Sequence, residues 1–452
     1  MRKRSGSFYR PTMATPSYDD IVIGAGAAGL IAAGELLRAG RSVLLLEARG
    51  RIGGRIWTRR EPGFPTPIEL GAEFIHGPAP TTRALLAKAG IAAIESSDSH
   101  LTLANGELAP QDHFFAKIQQ ALRSTDVLSG RDMSFDVFLE QHLAQRLSSE
   151  ERQYARMMAE GFDAADTSRA SARALADEWT GATLGEVPQS RPQNGYEALL
   201  AALVAELKPE RLRLQLHSPV HTVHWSRGAV EVAGEFIGAP FQARAERAIL
   251  ALPLGVMQRP PGTAGAVRFS PALEAKREAL GALASGPIVK MLLRFASSFW
   301  DSVHNGRFRD VSFLHAPGAP IPTFWTPAPV EAPLLVAWAG GPTALRLADA
   351  ASPAQIARKA VEILQKLFGK GVDVGSQLQG YYYHDWQQDP FACGAYSYVT
   401  VGGGAARQAL GQPIEDTLFF AGEATDTDDE AGTVAGALQS GIRAAHEALG
   451  AS

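Results

Sequence analysis

The chain carries three closely spaced glycines near its start, followed one strand later by a glutamate. A short apolar strand, DDIVIG, leads into Gly24-x-Gly26-x-x-Gly29, a helix follows, and a second strand, SVLLLE, ends at Glu47. Gly24 permits a tight turn, Gly26 lets the backbone approach a pyrophosphate, and Gly29 lets the helix pack on the strand. The helix N-terminus attracts phosphate, and Glu47 can accept hydrogen bonds from ribose hydroxyls. A plain βαβ unit would not need these glycines, so we predict dinucleotide binding.

A lysine stands in the middle of an apolar strand pattern at residues 285–300, SGPIVKMLLRFASSFW. Apolar residues fill both faces of this pattern, which is typical of a strand that is buried on both sides. A buried ammonium is costly unless it is paired or loses its proton. Lys290 therefore either lies in water on an edge strand or has a function inside the protein, and this stretch alone favours the edge strand.

The bulk properties of the chain exclude several classes of protein. Its 452 residues are too many for one hydrophobic core, so we expect two domains. The net charge of −4 argues against nucleic-acid binding, and no apolar run is long enough to span a membrane. The single cysteine, Cys393, suits a reducing cytoplasm and excludes a multi-cysteine metal site, so we expect no metal. Residues 1–17 lack the apolar core of a signal peptide and are interpreted as a disordered leader, with Met13 as a candidate natural start.

The segment after the second strand, EARGRIGGRIWT, distinguishes FAD from NAD. It places Arg49, Arg51 and Arg55 around the pair Gly53-Gly54. A second close backbone approach with guanidinium groups suits an extended pyrophosphate. Here the chain resembles the glutathione-reductase-type FAD proteins and, more narrowly, the flavin amine oxidases, whose second motif has this R-x-G-G-R form. The alternative is a basic loop on the surface.

Further segments resemble pieces of that family in the family's order. They are IELGAEFIHG (68–77), NGYEALLAALV (194–204), LRLQLHSPVHTVHW (212–225), ERAILALPLGVMQ (246–258), WQQDPFACGAYSYVTVGG (386–403) and LFFAGEATDTDDEAGTVAGALQSGIRAAHEAL (418–449). The resemblance implies an FAD site formed by Gly24, Gly26, Gly29, Glu47, Ala48, Arg49, Gly54, Arg55, Gly71, Ala72, Glu73, Val220, Trp386, Gly422, Glu423, Thr433 and Val434.

The last helix is expected to begin at Thr433 and Val434. Its N-terminal N–H groups and dipole would face the part of the flavin where negative charge develops on reduction. The alternative is a simple C-terminal cap.

The resemblance also implies the fold. We expect an α/β protein with a glutathione-reductase-type FAD-binding Rossmann domain and an interleaved α+β substrate domain, a mixed sheet covered by helices. The FAD-binding domain is assigned to residues 18–77, 191–262 and 386–450, and the substrate domain to residues 78–190 and 263–385. The active site is expected where the two domains meet over the flavin.

The resemblance changes the interpretation of Lys290. The segment VKMLLRFASSFW matches the strand that carries the active-site lysine of the family. In that family the lysine bonds a water molecule that bonds flavin N5. Lys290 is therefore expected to position water there and to assist reoxidation of the flavin by O2 electrostatically, without having to be the base.

Departures from the family's pattern concern the flavin linkage and the substrate cage. In mitochondrial-type monoamine oxidases two tyrosines flank the substrate, and a cysteine just before the first binds the flavin covalently. Here Tyr396 matches the first tyrosine, Ala395 precedes it, and Thr433 stands in the second place, while Cys393 is out of register. We therefore expect non-covalent FAD and an incomplete cage. GAYSY and GTVAGA look more like the spermine oxidases and lysine-specific histone demethylases, and IHG with His76 looks like the polyamine oxidases.

Three features concern the substrate. His76 could bond the substrate nitrogen or hold it neutral, or it could be a packed or capping histidine. Glu73 could supply a carboxylate near a cationic substrate, or it could lie on the surface or beside the flavin. Residues 408–442 hold seven acids and no Lys or Arg, which is typical of a solvated loop but could also concentrate cationic amines at the mouth of the site. These acids are Glu415, Asp416, Glu423, Asp426, Asp428, Asp429 and Glu430.

Together these features predict an FAD-dependent amine oxidase. The α-carbon of a neutral amine gives a hydride to flavin N5, the imine hydrolyses to an aldehyde, and O2 reoxidises the flavin to give hydrogen peroxide. The expected partners are O2 and a small-molecule amine, in the first place a di- or polyamine.

Four alternatives remain open at this point. They are an amino-acid or aromatic monoamine oxidase on the same fold, an NAD(P)H-using flavoenzyme, a flavin-bound protein without catalysis, and a module that binds and demethylates peptide lysine tails. The second would need a further dinucleotide motif. The last would need a helical arm and a partner-binding domain, for which we expect no room in 452 residues.

Overall fold

The computed structural model describes residues 16–97, 99–104, 107–110, 114–181 and 188–450. Most of the predicted leader, residues 1–17, lies outside this description. Ser17 belongs to the first strand, so the predicted boundary at residue 17 is wrong for that residue.

The strands and helices are numbered in chain order. The strands are β1 Ser17–Ile23, β2 Val43–Leu46, β3 Thr58–Arg59, β4 Ile68–Glu69, β5 Ala93–Glu95, β6 His100–Ala104, β7 Glu107–Pro110, β8 Ser190–Pro192, β9 Leu212–Gln215, β10 Val220–Ser226, β11 Ala229–Phe236, β12 Ala239–Leu250, β13 Arg268–Ser270, β14 Leu283–Ser285, β15 Ile288–Phe295, β16 Phe313–His315, β17 Thr323–Trp325, β18 Leu334–Gly340, β19 Leu378–Tyr383, β20 Ser397–Val399 and β21 Leu418–Phe420. The α-helices are α1 Ala27–Arg38, α2 Pro80–Lys88, α3 Phe114–Arg123, α4 Phe135–His142, α5 Ser149–Gly161, α6 Ala172–Thr180, α7 Tyr196–Ala205, α8 Leu254–Met257, α9 Arg277–Gly281, α10 Gly341–Ala350, α11 Pro353–Phe368, α12 Val374–Gln377, α13 Ala406–Gly411 and α14 Val434–Gly450.

The first sheet has the order β13-β10-β11-β12-β1-β2-β9, and β21 pairs with β12. Strand β1 runs parallel to both β2 and β12, as in a dinucleotide-binding sheet. The residues of β2 are all buried, because α1 and other elements cover the sheet. Helix α14 packs closely on α1, since a Cβ at Gly441 would lie 2.4 Å from the carbonyl oxygen of Ala28.

The second sheet has the order β19-β15-β18-β17-β16-β6-β7. Strand β15 lies between β18 and β19, and Lys290 pairs with Trp338 of β18. Val289 and Met291 point into a core shared with α11, and Lys290 points to the opposite face. The alternative of an edge strand with Lys290 in water is therefore wrong.

Helices α3 to α6 form a bundle beside the second sheet. Their shared core contains Ile118, Phe138, Tyr154 and Trp179, one residue from each helix. The bundle meets the short β14–β20 pair through Tyr398. The predicted division into two domains stays a prediction; the first sheet extends past the boundary at residue 262, as far as Ser270.

Two of the segments that resemble the family contain strands that do not run through the whole segment. Residues 212–225 form β9 and β10, with a break between them where His217 has a positive φ of 52°. In residues 386–403 only Ser397–Val399 form a strand, and the residues before it form turns. Of the helices described, none has the length and hydrophobicity that crossing a membrane requires.

Candidate active site

A cavity of about 870 Å³ begins at the carboxyl ends of β1 and β2 and reaches the second sheet. It is lined by every predicted site residue except Gly29, which lies inside α1. The lining residues from the prediction are Gly24, Gly26, Glu47, Ala48, Arg49, Gly54, Arg55, Gly71, Ala72, Glu73, His76, Val220, Lys290, Trp386, Tyr396, Gly422, Glu423, Thr433 and Val434. The structure thus brings together residues that are spread over more than 400 positions.

The three glycines of the motif are required for different structural reasons. Gly24 has a φ of +106°, and a Cβ there would lie 2.6 Å from the carbonyl oxygen of Ala251. A Cβ at Gly29 would lie 1.8 Å from the carbonyl oxygen of Gly24, so Gly29 closes the turn onto the helix. At Gly26 the nearest atom to an added Cβ is 3.9 Å away, so the space beside it is left for a ligand.

The carboxylate of Glu47 is fixed at the end of β2. It accepts hydrogen bonds from the backbone N–H groups of Ala25 and Arg49, at 3.0 and 2.9 Å. The side chain is buried yet lines the cavity, which is the position a ribose-binding carboxylate requires.

The three predicted arginines have different partners. Arg49 pairs with Asp389 at 2.5 Å, and Arg55 donates to Glu423 at 2.8 Å. Both line the cavity. Arg51 does not line it and instead donates to the carbonyl oxygen of Gly54 at 2.9 Å and to those of Ile52 and Ile56. The expectation that all three guanidinium groups face the pyrophosphate is therefore wrong for Arg51, which supports the loop from behind.

Glu423 and Thr433 shape the wall next to the last helix. Glu423 accepts from the hydroxyl of Ser397 at 2.6 Å; burial would raise its pKa, but Arg55 and Arg407 lower it below the usual value. Thr433 caps α14, because its hydroxyl accepts from the N–H of Gly436 at 3.1 Å. Thr433 and Val434, at the start of α14, both line the cavity, and that the N–H groups of this helix face a flavin stays a prediction.

Lys290 is almost fully buried and reaches the cavity wall. Its Nζ donates to the carbonyl oxygen of Gly71 at 3.0 Å and to Oε2 of Glu73 at 2.8 Å. Trp386 packs against Gly71 on the same wall, and its indole N–H donates to the carbonyl oxygen of Leu70 at 3.0 Å. Val220 lies on the cavity wall beyond the end of β9, beside Pro219.

His76 and Tyr396 face the cavity as neutral groups. Burial lowers the pKa of His76 to about 4, and its Nδ1 has no hydrogen-bond partner in the part of the chain that the structure describes. Burial, with Asp163 and Glu178 nearby, raises the pKa of Tyr396. Tyr396 donates its hydroxyl to the carbonyl oxygen of Phe162 at 2.6 Å, so the orientation of its ring is fixed.

A pair of acids, Asp163 and Glu178, also lines the cavity. The two carboxyl groups are hydrogen-bonded to each other, and the indole of Trp179 donates to Asp163 at 3.1 Å. Burial and the neighbouring Glu178 raise the pKa of Asp163, and burial raises that of Glu178 as well. The pair therefore retains a proton that one exposed carboxyl would lose.

A family model for flavin-containing amine oxidoreductases matches residues 27–449 of the chain. The chain belongs to this family. The prediction of a flavin amine oxidase is thereby confirmed at the level of the family. Lysine-specific histone demethylase 2 of Homo sapiens is 29% identical over 457 residues, which cover 94% of this chain and 52% of that protein. Polyamine oxidase 3 of Oryza sativa subsp. japonica is 29% identical over 474 residues, which cover 96% and 89%.

The chain spans about half the length of the human demethylase and 29% of the length of a demethylase homologue from Arabidopsis thaliana. Among solved structures, putrescine oxidase bound to putrescine matches with a TM-score of 0.77 at 19% identity, over 96% of this chain and 99% of that one. Cyclohexylamine oxidase from Brevibacterium oxydans IH-35A matches with a TM-score of 0.76 at 21% identity, over 95% and 98%. These matches confirm the predicted fold class, a Rossmann-type sheet beside a mixed sheet covered by helices.

The flavin that the family implies fits the cofactor end of this amine oxidoreductase. The open space beside Gly26 and the buried carboxylate of Glu47 suit a pyrophosphate and a ribose. The capped N-terminus of α14 suits the edge of a flavin that gains negative charge.

Two expectations about the substrate need correction in this amine oxidoreductase. Both carboxylate oxygens of Glu73 are occupied, Oε2 by Lys290 and Oε1 by Arg191 at 2.8 Å, so Glu73 does not receive a substrate ammonium. The acidic run is not one solvated loop either. Asp426 and Glu430 are buried, and the N–H of Glu430 donates to Asp426 at 3.0 Å, while Asp428 and Asp429 are exposed.

Sequence reasoning missed several residues that line the cavity. They belong to the helical bundle and to the second sheet, and they are Tyr154, Met157, Phe162, Asp163, Glu178, His315, Trp325 and Trp338. None lies in a local motif. An acid next to an aromatic residue, as in Phe162-Asp163 and Glu178-Trp179, is too common a pattern to have singled these positions out.

Proposed function

We propose that this protein is an oxidase of basic amines that binds FAD non-covalently and uses O2 as electron acceptor. The observation that carries the proposal is one cavity that joins the dinucleotide end, with Gly26 and Glu47, to a wall with Lys290 and an acid pair. The family supports amine oxidation, and the cavity supports the choice of substrate.

The non-covalent linkage is supported by the residues around Tyr396. Ala395 has no nucleophile. Cys393, two residues earlier, does not line the cavity, and its Sγ accepts from Nη1 of Arg259 at 3.0 Å. Because this is the chain's single cysteine, no other thiol is available to bind the flavin.

The chain's own residues orient the amine, and burial in the cavity disfavours its charged form. When bound, the flavin supplies hydride acceptance from the amine α-carbon and two-electron transfer to O2, so that amine, O2 and water give aldehyde, ammonia or a smaller amine, and hydrogen peroxide. The rings of Tyr396 and Phe162 form walls that exclude water and hold the alkyl chain. A neutral His76, whose Nδ1 has no partner among the described residues, can form a hydrogen bond with the reacting nitrogen.

A di- or polyamine is the favoured substrate because of the acid pair. Asp163 and Glu178 together can hold an ammonium group remote from the reacting nitrogen, since one carboxyl of the pair is readily ionised next to a cation. Thr433, in place of a second large ring, leaves length for such a chain.

Amino acids are disfavoured as substrates by the partners of the arginines. Among the described residues that line the cavity, the arginines are Arg49 and Arg55, and each is paired with an acid. A substrate carboxylate would have to compete with Asp389 or Glu423 for them.

Demethylation of lysine tails is the second candidate, because relatives at 29% identity include a lysine-specific histone demethylase. It would use the same cavity. An oxidised N-methyl group would leave as formaldehyde, which distinguishes it from the polyamine reaction.

An amine panel with peroxide release as the readout tests the proposal. It contains spermidine, putrescine, benzylamine, an L-amino acid and a methylated lysine peptide. We expect the highest kcat/KM with spermidine or putrescine. Highest activity with the amino acid or benzylamine would contradict the polyamine assignment, and formaldehyde release from the peptide as the fastest reaction would replace it with demethylation. Acid treatment should release intact FAD; flavin that stays with the denatured chain would contradict the non-covalent linkage.

A further inference from the structure

Glu73 lies between two buried cations at the wall of the cavity. Its Oε2 accepts from Lys290 at 2.8 Å, and its Oε1 accepts from Nε of Arg191 at 2.8 Å and from the indole of Trp325 at 3.0 Å. The side chains of Lys290, Glu73 and Arg191 are 2%, 9% and 14% exposed, so solvent screens these contacts little. The three residues come from β15, from the loop after β4 and from β8.

The two cations differ in how much they depend on Glu73. Arg191 has other acceptors, namely the hydroxyl of Ser96 at 2.9 Å and the carbonyl oxygens of Thr326 and Ala328. Lys290 has one other acceptor among the described residues, the carbonyl oxygen of Gly71. An ammonium group needs compensation when it is buried, so Glu73 is the main counter-ion of Lys290.

The geometry also fixes the direction of the ammonium. A lysine Nζ has three N–H donors, and two of them are taken by Gly71 and Glu73. Because Lys290 lines the cavity, the third donor is left for a group inside it, such as a water molecule. Two fixed acceptors set the orientation of that third donor, which one acceptor alone would not.

We propose that Glu73 is the positioning residue of Lys290, holding its ammonium group aimed at the cavity so that Lys290 can assist reoxidation of the flavin by O2. This inference rests on the proposed oxidase function. It goes beyond it in assigning to a carboxylate of the β4 loop a role that is exerted only through Lys290.

The two neighbouring cations also keep the carboxyl group of Glu73 ionised. Burial alone would raise the pKa of Glu73, but Lys290 and Arg191 lower it to about 2. Glu73 is therefore ionised at every pH at which the enzyme is assayed.

Separate measurement of the two half-reactions tests the proposal with Glu73→Gln, which keeps the shape and removes the charge. We expect anaerobic reduction by spermidine to stay close to the wild-type rate. The second-order rate constant for reoxidation by O2 should fall about tenfold or more, as for the loss of one charge-assisted hydrogen bond. Glu61→Gln is the matched control, because Glu61 pairs with Arg294 of the same strand at 3.3 Å outside the cavity, and its reoxidation should be unchanged.

A double-mutant cycle shows whether Glu73 acts through Lys290. Lys290→Met should itself slow reoxidation, and adding Glu73→Gln to it should slow reoxidation no further. A purely structural role of Glu73 would slow both backgrounds equally. Glu73→Gln that reoxidises at the wild-type rate, or slows the Lys290→Met enzyme as much as the wild type, would overturn the proposal.

Urea unfolding of the holoenzyme gives a readout that does not depend on activity. Glu73→Gln should lower the unfolding midpoint, and in the Lys290→Met background it should lower it by about half as much, because one of the two cations is gone. Equal shifts in both backgrounds would show that the contact between Glu73 and Lys290 contributes nothing to stability. If Glu73→Gln does not fold, the double variant Glu73→Gln/Arg191→Met removes one charge of each sign and carries the same tests.

The outcomes separate this inference from the proposed function. A wild-type protein that oxidises no amine would remove the proposed function and this inference together. A wild-type protein that oxidises amines, with no coupling between Glu73 and Lys290 in either cycle, would overturn this inference alone.

Discussion

The two ends of the cavity differ in how their ionisable side chains are neutralised. The cofactor end lies around Gly26 and Glu47, and the proposed substrate end lies around His76, Tyr396 and the acid pair. At the cofactor end the charged side chains are paired with one another, as in Arg49–Asp389 and Arg55–Glu423, and they hold the loops in place. At the substrate end burial keeps His76 and Tyr396 neutral, and the acid pair nearby retains a proton.

Under the proposed function, this difference would let one cavity bind an anion and a cation. A pyrophosphate is recognised by backbone geometry and fixed positive charge, which must be present before the ligand arrives. The di- or polyamine that we propose as substrate would be bound as a cation at one nitrogen and would have to be neutral at the other before it reacts. His76 and Tyr396 are neutral, and the acid pair can lose its shared proton when a cation binds. These residues are therefore compatible with a charged nitrogen at one end of the substrate and a neutral nitrogen at the other.

The largest expected effect is at the cofactor end, at the glycine that closes the turn. Gly29→Ala puts a methyl group 1.8 Å from the carbonyl oxygen of Gly24, so the turn must open. We expect the free energy of unfolding, measured in urea, to fall by about 3 kcal/mol, together with loss of FAD. Gly26→Ala is the matched control, since its methyl group has 3.9 Å of clearance within the protein. It should keep the stability of the flavin-free chain and weaken FAD binding only; equal destabilisation by both would refute this distinction.

The glycines also show what could be predicted from the sequence. A motif of six residues, with its strand and helix, specifies a local turn, so the sequence could locate the turn that carries Gly24, Gly26 and Gly29. That these residues contact FAD stays a prediction. The direction of the Arg51 side chain could not be predicted, because it depends on carbonyl groups of its own loop. The substrate end depends on contacts between distant segments: Lys290 and Glu73 are 217 positions apart, and no local pattern links them. Both were singled out, but their contact with each other was not foreseen.

The neutral state of His76 can be tested by measuring the stability of the protein as the pH is lowered. Burial lowers the pKa of His76 in the folded protein to about 4, from its ordinary value of 6.5. Between these values the unfolded chain binds more protons, so the stability that His76 contributes is lost as the pH falls from about 6.5 to 4. For this group the loss is on the order of 3 kcal/mol at pH 4. His76→Asn should flatten the pH dependence of the urea midpoint in this window; an unchanged slope would show that His76 is solvated.

The acid pair should decide between long and short amines. Asp163→Asn combined with Glu178→Gln removes the carboxylate that would hold a remote ammonium. We expect kcat/KM for spermidine to fall about tenfold, or roughly 1.4 kcal/mol, with butylamine much less affected. Asp177→Asn changes an exposed neighbour of the pair and is the control. A similar loss for both amines would assign the pair to folding and not to substrate selection.

The smallest effect is expected outside the cavity, at Asp428 and Asp429. Both are exposed near Gly432, which lines the cavity, and Asp429 is near enough to Glu178 to add to the effect of burial in raising the pKa of that carboxyl. Replacing both by asparagine should lower kcat/KM for spermidine about twofold at low salt and reduce its salt dependence. Glu430 is left out of this test because it is buried. Unchanged salt dependence would place the steering charge elsewhere.

The most direct test of the account is a single turnover of the purified yellow protein. Mixed with spermidine in the absence of O2, it should lose its oxidised-flavin absorbance at a rate that rises with pH as the amine loses its proton. Admission of O2 should then restore the absorbance and release one equivalent of hydrogen peroxide and one of aldehyde. A flavin that spermidine, putrescine and the other amines of the panel all fail to reduce would contradict the central claim that the two ends of this cavity form an amine oxidase.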